Sequence, residues 1–391
     1  MKLVVLLGDG MADLPLAALQ GKTPLQAAIK PNMDLLAKRG KNGLAQTVPE
    51  GFPPGSDVAN LSVMGYAPGK HYSGRAPLEA AAMGVPLGPE EIAFRCNFVT
   101  IVNGIMKDYS AGHITTEEGR KLIEALQPLM PDRRLYAGVS YRNLLVLKAG
   151  AKALCTPPHD ISDQPVVEHL PSGPDSELLM RLMEAARPVL ARHPVNIRRI
   201  SEGKRPANEI WLWGQGPAPV MPSFAEKYGL KGAMISAVDL LKGIGRYAVL
   251  EVIDVPGATG TIDTNYEGKV QATLEALKSC DFVYLHIEAP DEAGHEGDTL
   301  LKVRAIELFD EKVVGPVVEG LEKSGEDWRV LLLPDHATPI SIKTHSRDPV
   351  PFTIMGTGIE QDSVERFDED AAKKGAYGLV EATKLVGMMR G

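Results

Sequence analysis

The sequence contains few of the residues that build disulfide scaffolds or thiolate metal sites. It has three cysteines in 391 residues, an odd number with wide spacing and no Cys-x-x-Cys pair. This set predicts neither a disulfide framework nor a cysteine-bound metal, and it is typical of a reducing, cytoplasmic environment. The chain also lacks an apolar run long enough to cross a bilayer, so no membrane anchor is expected.

Basic residues are outnumbered by acidic ones. The chain carries 42 basic and 50 acidic residues, which gives a net charge of -8 at pH 7. This balance argues against binding to a nucleic-acid backbone, which needs a broad basic surface. Any cationic site must therefore be local. With 44% hydrophobic and 24% charged residues, the composition is that of a globular protein rather than a disordered one.

The apolar pattern predicts an α/β fold whose central sheet is mostly parallel. Short β-rich runs alternate with helical segments toward both ends of the chain. The predicted strands are residues 3–7, 209–213, 248–253, 281–287, 328–333 and 351–354. The first run is interrupted at Gly8, too early for a signal segment, and is therefore expected to be a buried strand.

The middle of the chain predicts two β-hairpins instead of strand and helix alternation. They are residues 92–102 with 104–109 and residues 133–137 with 142–147. A length of 391 residues exceeds one ordinary core and favours two domains, or one domain with an insertion. We therefore predict a discontinuous core domain at 1–85 and 207–391 and an inserted α+β domain at 86–206.

Aspartate and histidine residues follow three of the predicted strands, and another histidine lies in a fourth segment. They are Asp9, Asp291, His295, Asp335, His336 and His345. In open α/β sheets ligands gather outside the carboxyl ends of strands. Oxygen and imidazole ligands suit Mn²⁺, Zn²⁺ or Mg²⁺, and this many ligands predicts two divalent ions. His286, five residues before Asp291, either supports a ligand or packs in the core.

A serine at the start of a predicted helix is the candidate nucleophile. Ser56 follows Gly55 and precedes a helix predicted at residues 57–64. The N–H groups and dipole at a helix start favour an anion, and metal binding turns a weak serine hydroxyl into a strong nucleophile. Ser56 alone is better explained as a helix cap. Its occurrence with ligands in four other segments favours metal-assisted phosphoryl transfer.

Five stretches of the sequence resemble one enzyme family. They are residues 7–13 (LGDGMAD), 53–66 (PPGSDVANLSVMGY), 291–295 (DEAGH), 334–336 (PDH) and 344–346 (THS). In this order they resemble the cofactor-independent phosphoglycerate mutases of the shorter, archaeal-type branch, within the alkaline phosphatase superfamily. The resemblance implies an alkaline-phosphatase-like α/β/α sandwich core carrying a smaller inserted domain.

The resemblance also implies a role for each matching residue. Asp291, His295 and His345 would hold one metal ion, and Asp9, Ser56, Asp335 and His336 would hold the other. Ser56 would take the phosphoryl group from one hydroxyl of phosphoglycerate and return it to the other, independently of 2,3-bisphosphoglycerate. Mn²⁺ is the expected ion, with Zn²⁺, Co²⁺ or Mg²⁺ as alternatives.

Residues that grip the substrate are expected mainly on the inserted domain, whose closure would keep water from the phosphoserine. The candidates are Arg75, Arg95, Asp108, His113, Arg142, His159 and Asp160. Arg75 lies just after the serine motif, where a guanidinium could clamp a carboxylate or phosphate. A lone arginine is otherwise a solvated surface cation. The insert is shorter than that of the longer bacterial branch. Spacing therefore does not identify the counterparts here of that branch's arginines and histidines.

The same residues are compatible with other functions. Some bacterial members of the branch are proposed to be homoserine kinases, although the chain has no GxxxxGK[ST] loop for ATP. A metal-dependent phosphomonoesterase would let water complete the reaction. A non-enzymatic metal-binding protein would not need Ser56 at a helix start. The predicted partner is therefore a small phosphorylated substrate, with neither nucleic acid nor membrane, and the sequence predicts no oligomeric state.

Overall fold

The computed structural model describes residues 1–130 and 132–391, which divide into two compact units. Met1–Tyr72 and Val220–Gly391 form the first unit, and Ser73–Pro219 forms the second. Each unit has its own sheet and its own apolar core. The second unit is thus contiguous in sequence, whereas the first is built from both ends of the chain.

Strands and helices of both units follow one another along the chain. The strands are β1 (Lys2–Gly8), β2 (Lys41–Gln46), β3 (Ile92–Val102), β4 (Ile105–Asp108), β5 (Arg134–Tyr136), β6 (Arg142–Leu147), β7 (Glu209–Pro217), β8 (Gly232–Ile235), β9 (Glu251–Ile253), β10 (Phe282–Ile287), β11 (Trp328–Leu333), β12 (Val350–Gly356) and β13 (Gly378–Glu381). The α-helices are α1 (Pro24–Ala27), α2 (Pro31–Arg39), α3 (Ser56–Val63), α4 (Pro68–His71), α5 (Arg75–Ala82), α6 (Thr116–Leu126), α7 (Ser176–Arg192), α8 (Pro194–Ser201), α9 (Phe224–Tyr228), α10 (Asp239–Tyr247), α11 (Tyr266–Ala276), α12 (Ala289–Glu296), α13 (Thr299–Phe309), α14 (Gly315–Ser324), α15 (Glu369–Ala372) and α16 (Leu385–Arg390). None of these described helices combines the length and apolar character that crossing a bilayer demands.

The first unit contains an eight-stranded sheet in the order β13-β2-β12-β11-β1-β10-β8-β9. Strand β1 lies between β10 and β11 and is parallel to both, and β8 and β9 continue the parallel arrangement. Strand β12 is antiparallel to both of its neighbours. The predicted fold class, an α/β core with a mostly parallel sheet and a separate smaller unit, is confirmed.

Burial along the central strand β1 shows that this sheet is covered on both faces. Its apolar residues 3–7 are all buried. Val4 and Leu6 pack with Val330 and Leu332 of the neighbouring β11 in one apolar core. Alternate residues of a strand point to opposite faces, so burial of the whole run requires cover on each side. The one polar side chain of β1, Lys2, accordingly lies at the start of the strand.

The second unit contains an antiparallel sheet in the order β4-β3-β6-β5, with β7 also paired to β3. Both predicted hairpins are confirmed, as β3 with β4 and as β5 with β6. Leu122 of α6 and Leu179 of α7 pack in the apolar core of this unit. The second unit is therefore of the α+β type.

Two strand predictions are wrong in part. Residues 209–213 belong to β7, which pairs with β3 in the second unit instead of joining the parallel sheet. Residues 248–250 are not extended, because Ala248 ends α10 and Val249 has a φ of 56°. Short apolar runs do not show which sheet they will join, because strand pairing is decided by tertiary contacts.

The second unit extends beyond the predicted insert, 86–206, at both ends. Ala76 of α5 packs with Ala93 of β3. The Ser73 hydroxyl donates to the carbonyl of Pro217, at 2.7 Å. Glycine and proline in the sequence mark bends of the chain, whereas the extent of the compact unit follows packing on β3.

Candidate metal centre and nucleophile

The predicted ligands lie at the carboxyl ends of three adjacent strands. Strand β1 is flanked by β11 and β10. Asp9 follows β1, and Asp335 with His336 follows β11. Asp291 lies on α12, shortly after β10. Parallel strands place their carboxyl ends along one edge of a sheet, and residues distant in sequence therefore meet there.

Asp291, His295 and His345 form one cluster of possible ligands, with one ligand atom from each within 4.8 Å of the others. Asp291 and His295 are one turn apart on α12, and His295 Nε2 is 3.2 Å from Asp291 Oδ2. His345 Nε2 is 3.5 Å from Asp291 Oδ1 and 2.9 Å from His295 Nε2. The spacing of four residues thus brings Asp291 and His295 onto one face of the helix.

A hydrogen bond on the far side of His295 decides which of its nitrogens faces this cluster. His295 Nδ1 is 3.0 Å from the carbonyl oxygen of Lys343. A carbonyl only accepts, so Nδ1 carries a hydrogen, and the neutral form of the ring has its lone pair at Nε2. This is the arrangement in which a histidine binds a metal ion.

Ser56, Asp9, Asp335 and His336 form a second cluster. The Ser56 hydroxyl lies 3.1 Å from His336 Nε2. The same nitrogen is 3.4 Å from Asp335 Oδ2 and 3.5 Å from Asp9 Oδ1. Asp9, Asp291 and His336 also offer ligand atoms within 4.8 Å of one another, so the two clusters adjoin. The predicted nucleophile therefore lies directly beside predicted ligands.

Ser56 is the first residue of α3 and not its cap. Gly55 precedes the helix in an extended conformation and occupies the cap position, where it has no side chain to bond the first turn. The Ser56 hydroxyl is directed at His336 instead. The simple interpretation of Ser56 as a helix cap is therefore wrong, and the positive end of the helix dipole lies at the candidate nucleophile.

Thr338 links the two clusters. Its hydroxyl donates a short hydrogen bond to Asp291 Oδ1, and His336 Nδ1 lies 3.2 Å from the same hydroxyl oxygen. Burial lowers the pKa of His336 to about 4, so the ring is neutral. Because the hydroxyl hydrogen is used by the carboxylate, His336 Nδ1 donates to Thr338. The lone pair of His336 then lies at Nε2, facing Ser56 and Asp335.

Gly10 lets the backbone approach the two clusters closely. Its φ of 61° lies in the left-handed region, which glycine adopts without strain. A Cβ atom at this position would lie 2.5 Å from Thr338 Oγ1 and 2.6 Å from Asp291 Oδ1. The Gly10 N–H also donates to Asp335 Oδ1, at 3.2 Å. Glycine is therefore required here for both space and conformation.

A buried hydrogen-bond network ties the nucleophile to Asp335. Asn60 Nδ2 donates to Asp335 Oδ2 at 2.7 Å and to the carbonyl of Ser56 at 2.8 Å. The Tyr284 hydroxyl donates to Asn60 Oδ1 at 2.5 Å. Burial raises the pKa of Tyr284 well above its usual value, so the phenol keeps its hydrogen. The network orients the amide of Asn60 and, through it, the carboxylate of Asp335.

Burial and neighbouring charge shift the pKa values of the cluster residues in different directions. Burial, then the charges of Asp335 and Asp291, raises the pKa of Asp9 well above its usual range. Burial acts in the same direction on Asp291, but hydrogen bonds from His295 and His345 outweigh it and hold that pKa well below its usual range. Burial lowers the pKa of His295, yet the hydrogen bond and charge of Asp291 raise it to about 9. The carboxylates thus attract positive charge to this position.

One buried carboxylate oxygen indicates what that positive charge is. Asp9 Oδ1 is buried and has no hydrogen-bond partner among the residues that the structure describes. An uncompensated carboxylate oxygen in the protein interior is costly, and a cation removes that cost. Nearby, His336 presents an imidazole lone pair, and His295 presents one at Nε2 once a bound cation displaces the proton there. Carboxylate oxygens and neutral imidazoles in this arrangement fit divalent metal ions.

In the second unit, Arg75 and Arg95 share one carboxylate. Arg95 Nε is 3.0 Å from Glu79 Oε2, and Arg75 Nε is 3.5 Å from Glu79 Oε1. The Arg95 guanidinium is buried and lies over the ring of Trp213, 4.4 Å from its centroid. Two guanidinium groups on one carboxylate leave a net positive charge, which suits an anionic ligand.

Three further candidates contact a row of aromatic rings. The Arg142 guanidinium is 5.7 Å from the centroid of the Tyr141 ring, and the His113 ring is 6.5 Å from the same centroid. The Tyr109 ring lies 5.9 Å from Tyr141 and 6.1 Å from His159. The aromatic side chains therefore connect Arg142, His113 and His159 within the second unit.

His159 extends this row to Arg95. Its ring centroid is 5.2 Å from Trp213, the ring over which Arg95 lies. His159 Nε2 is 3.6 Å from Asp160 Oδ1. The structure thus brings most of the predicted substrate residues into one continuous region of the second unit, and their contact with substrate stays a prediction.

Asp108 is already engaged by its own loop. Its carboxylate accepts hydrogen bonds from the Ser110 N–H at 2.7 Å, the Ser110 hydroxyl at 2.6 Å and the Gly112 N–H at 3.0 Å. The three successive residues Ala111, Gly112 and His113 all have positive φ. Asp108 therefore stabilises the turn that presents His113, and direct binding of substrate by Asp108 stays a prediction.

Asn60, Thr338 and Tyr284 were not predicted as site residues from the sequence. Asn60 lies four residues after Ser56 on α3, a helical spacing that marks it as a neighbour of the nucleophile. Tyr284 lies two residues before His286, which puts both on one face of β10. Thr338 has no such signal, because its role depends on the turn that follows β11.

Comparisons with known sequences agree on one family. A sequence profile of the 2,3-bisphosphoglycerate-independent phosphoglycerate mutases matches residues 37–196. A protein of that name from Methanothrix thermoacetophila is 66% identical over 389 residues, covering 100% of this chain and 99% of the relative. Another from Methanosarcina acetivorans is 57% identical over 394 residues and covers the same shares.

Solved structures give the same result. A protein from Pyrococcus horikoshii has a TM-score of 0.84 at 33% identity, over 99% of this chain and 96% of that one. A cofactor-independent phosphoglycerate mutase from Thermoplasma acidophilum has a TM-score of 0.67 at 30% identity, over 100% of this chain and 99% of that one. The resemblance predicted from the five motifs is confirmed. This chain belongs to the family of 2,3-bisphosphoglycerate-independent phosphoglycerate mutases.

Proposed function

We propose that the protein interconverts 3-phosphoglycerate and 2-phosphoglycerate through a phosphoserine at Ser56. The full-length similarity to mutases supports the reaction. The observation that supports a phosphoserine intermediate is the position of the Ser56 hydroxyl. It lies 3.1 Å from His336, beside Asp9 and Asp335, at the start of a helix. A serine in this position is a nucleophile with an anion-binding site already built around it.

The same residues are proposed to hold two divalent ions. One set is Asp291, His295 and His345, and the other is Asp9, Ser56, Asp335 and His336. When bound, such ions neutralise the charge of the phosphoryl group and lower the pKa of the serine hydroxyl. Mixed carboxylate and imidazole ligands suit Mn²⁺, which we propose ahead of Zn²⁺, Co²⁺ or Mg²⁺.

Ser56 acts twice in the proposed reaction. Its oxygen forms a bond to phosphorus while the bond from phosphorus to the substrate oxygen breaks, and the glycerate oxygen takes up the proton. In the second step the other glycerate hydroxyl attacks the phosphoserine, and Ser56 regains its proton. The helix dipole of α3 stabilises the phosphoserine, and the bond from Asn60 to the Ser56 carbonyl restrains the nucleophile.

The basic residues of the second unit are proposed to hold glycerate between the two steps. Arg75, Arg95 and Arg142 provide guanidinium groups that match a carboxylate in shape and charge. Glycerate that stays bound can turn and present its other hydroxyl. If glycerate left, water would hydrolyse the phosphoserine, so exclusion of water separates a mutase from a phosphatase.

The proposal is tested with purified protein, Mn²⁺ and 3-phosphoglycerate, with formation of 2-phosphoglycerate coupled to enolase and no 2,3-bisphosphoglycerate present. We expect turnover that Ser56→Ala abolishes. The control is Ser62→Ala, in the same helix, whose hydroxyl bonds only the carbonyl of Val58 among described residues. Exhaustive chelation should stop turnover, and added Mn²⁺ should restore it.

Three results would overturn the proposal. The first is phosphorylation of homoserine by ATP with no mutase turnover. The second is release of inorganic phosphate from 3-phosphoglycerate with no 2-phosphoglycerate formed, which is the phosphomonoesterase reaction. The third is mutase turnover that survives either Ser56→Ala or exhaustive chelation.

A further inference from the structure

Ser236, His286 and Asp9 come from three adjacent strands and lie in a row. Strand β10 is paired with β8 on one side and β1 on the other. The register places His286 opposite Leu7, two residues before Asp9. Ser236 directly follows β8. All three polar side chains are buried, with exposed fractions of 3% for Ser236, 0% for His286 and 1% for Asp9.

The hydrogen bonds along this row have a definite direction. His286 Nε2 is 2.8 Å from Asp9 Oδ2, and a carboxylate only accepts, so Nε2 carries a hydrogen. On the other side His286 Nδ1 is 3.2 Å from the Ser236 hydroxyl. That hydroxyl oxygen accepts the Val238 N–H at 3.0 Å, which leaves its own hydrogen for Nδ1. Donation therefore runs from Val238 through Ser236 and His286 to Asp9.

This direction distinguishes two roles for His286. Its nitrogens lie among those that could hold an ion with Asp9 and Asp335. An imidazole nitrogen that carries a hydrogen has no lone pair for a metal, so His286 would have to break its bond to Asp9 to become a ligand. By donating to Oδ2, His286 instead leaves Asp9 Oδ1 as the oxygen without a hydrogen-bond partner among the described residues.

We propose that Ser236 and His286 are positioning residues that decide which oxygen of Asp9 binds a divalent ion. His286 holds Oδ2, and Ser236 holds the imidazole in the orientation that donates. Oδ1 then faces His336, whose Nε2 is 3.5 Å away. The inference rests on the proposed metal centre and adds to it two residues that touch neither substrate nor metal.

The test measures Mn²⁺ affinity and stoichiometry by calorimetric titration of metal-stripped protein, without substrate. The variants are His286→Leu, His286→Gln and Ser236→Ala. Glutamine keeps an N–H donor at about the reach of Nε2, and leucine does not. We expect His286→Leu to weaken binding of one ion by about 10- to 100-fold, the usual loss when the partner of a ligand is removed. His286→Gln should stay within about threefold of wild type, and Ser236→Ala should fall between them.

The alternative role gives a different pattern. If His286 is itself a ligand, His286→Gln will lose affinity as strongly as His286→Leu, and the proposal is overturned. Equal affinity in all variants also overturns it. Circular dichroism and thermal melting identify any variant that does not fold. Should His286→Leu not fold, the order wild type, His286→Gln and Ser236→Ala still decides the question.

Failure of the proposed function is recognised separately in the same experiment. Wild-type protein that binds no divalent ion contradicts the metal centre and the inference together. Wild-type protein that binds two ions, with variants that bind them equally well, contradicts the inference alone. Thr273→Ala is a matched control, because its buried hydroxyl bonds the carbonyl of Lys269 within α11 and none of the side chains of Ser236, His286 and Asp9.

Discussion

The buried candidate residues of the first unit are held differently from Arg142 of the second. In the first unit Asp9, Asp335 and His336 are at most 1% exposed, and fixed hydrogen bonds orient them. In the second unit Arg142 is exposed and lies beside an aromatic ring. Buried charged groups need permanent partners, whereas exposed side chains can turn toward a ligand. Substitutions in the first unit should therefore change metal binding and turnover, and those in the second should change substrate affinity.

Asp291→Asn should give the largest effect. The substitution removes a charge shared by both ligand clusters while it keeps the shape of the side chain. We expect mutase turnover to fall by at least about 10³-fold and the bound metal to fall below wild type. Asp163→Asn, an exposed carboxylate of the second unit, is the control and should leave both unchanged. Normal turnover in Asp291→Asn would break the contrast between the units.

Gly10→Ala tests whether the first unit is as tightly packed as its contacts indicate. A methyl group would meet Thr338 and Asp291 in a left-handed conformation, so unfolding free energy should fall by about 2 to 4 kcal/mol. Denaturant unfolding measures this. Gly21→Ala separates the two causes, because Gly21 has a φ of 79° with no atom within 4 Å of a Cβ. Equal losses in the two variants would show that crowding at the site adds nothing.

Glu369→Gln tests the energetic effect of burial on a carboxylate of the first unit that is not a candidate metal ligand. Glu369 accepts hydrogen bonds from the Thr23 hydroxyl at 2.7 Å and the Asp13 N–H at 3.1 Å. Burial raises the pKa of this carboxyl from 4.5 to about 7, more than the hydrogen bonds lower it. The folded protein therefore binds this proton more tightly than the unfolded chain does. The stabilisation is complete below pH 4.5 and is lost as pH rises through 7.

The measurement compares denaturant unfolding of wild type and Glu369→Gln at pH 5 and pH 7. We expect the wild type to lose on the order of 2 kcal/mol more than the variant over this interval. Other titrating groups are the same in both proteins and cancel in the difference. A parallel pH dependence of the two proteins would show that burial of Glu369 has no energetic consequence.

Arg142→Ala should give the smallest effect and one of a different kind. An exposed guanidinium that binds the substrate carboxylate adds affinity without touching the metal ligands. We expect KM for 3-phosphoglycerate to rise by about tenfold, with Mn²⁺ affinity unchanged. Arg181→Ala, on an exposed face of α7 and paired with Glu177, is the matched control. A loss of metal affinity in Arg142→Ala would contradict the assignment of metal binding to the first unit and substrate binding to the second.

The candidate metal ligands could be located from the sequence because carboxylate and imidazole side chains follow several separate strands. Asp9 and Asp335 each lie just after an apolar run, residues 3–7 and 330–333, and each alone could be an ordinary turn residue. Their occurrence together with histidines in other segments is what indicates a metal site. Ser56 could be predicted because a helix start gives a hydroxyl a specific electrostatic setting. In both cases the local sequence determines the property on which the prediction rests, which is ligand chemistry for the first and the electrostatic setting of the hydroxyl for the second.

Other features depend on contacts that no local pattern records. Strand β7 joins the second unit because of its pairing with β3, and its apolar run is equally compatible with the parallel sheet. Tyr284 looks like any buried aromatic residue until its hydroxyl meets Asn60. Arginines of the second unit could not be ranked, because a guanidinium is an ordinary surface group until aromatic rings and Glu79 surround it.

The position of β1 in the middle of the first sheet has a consequence for protein synthesis. Asp9 is made early, but its strand pairs with β10 and β11, and His345 comes later still. The contiguous second unit, Ser73–Pro219, has all of its residues much sooner. A nascent chain on the ribosome therefore acquires its candidate substrate-gripping residues before it acquires its candidate metal centre. A chain that ends before Asp291 lacks five of the proposed metal ligands and is not expected to transfer a phosphoryl group.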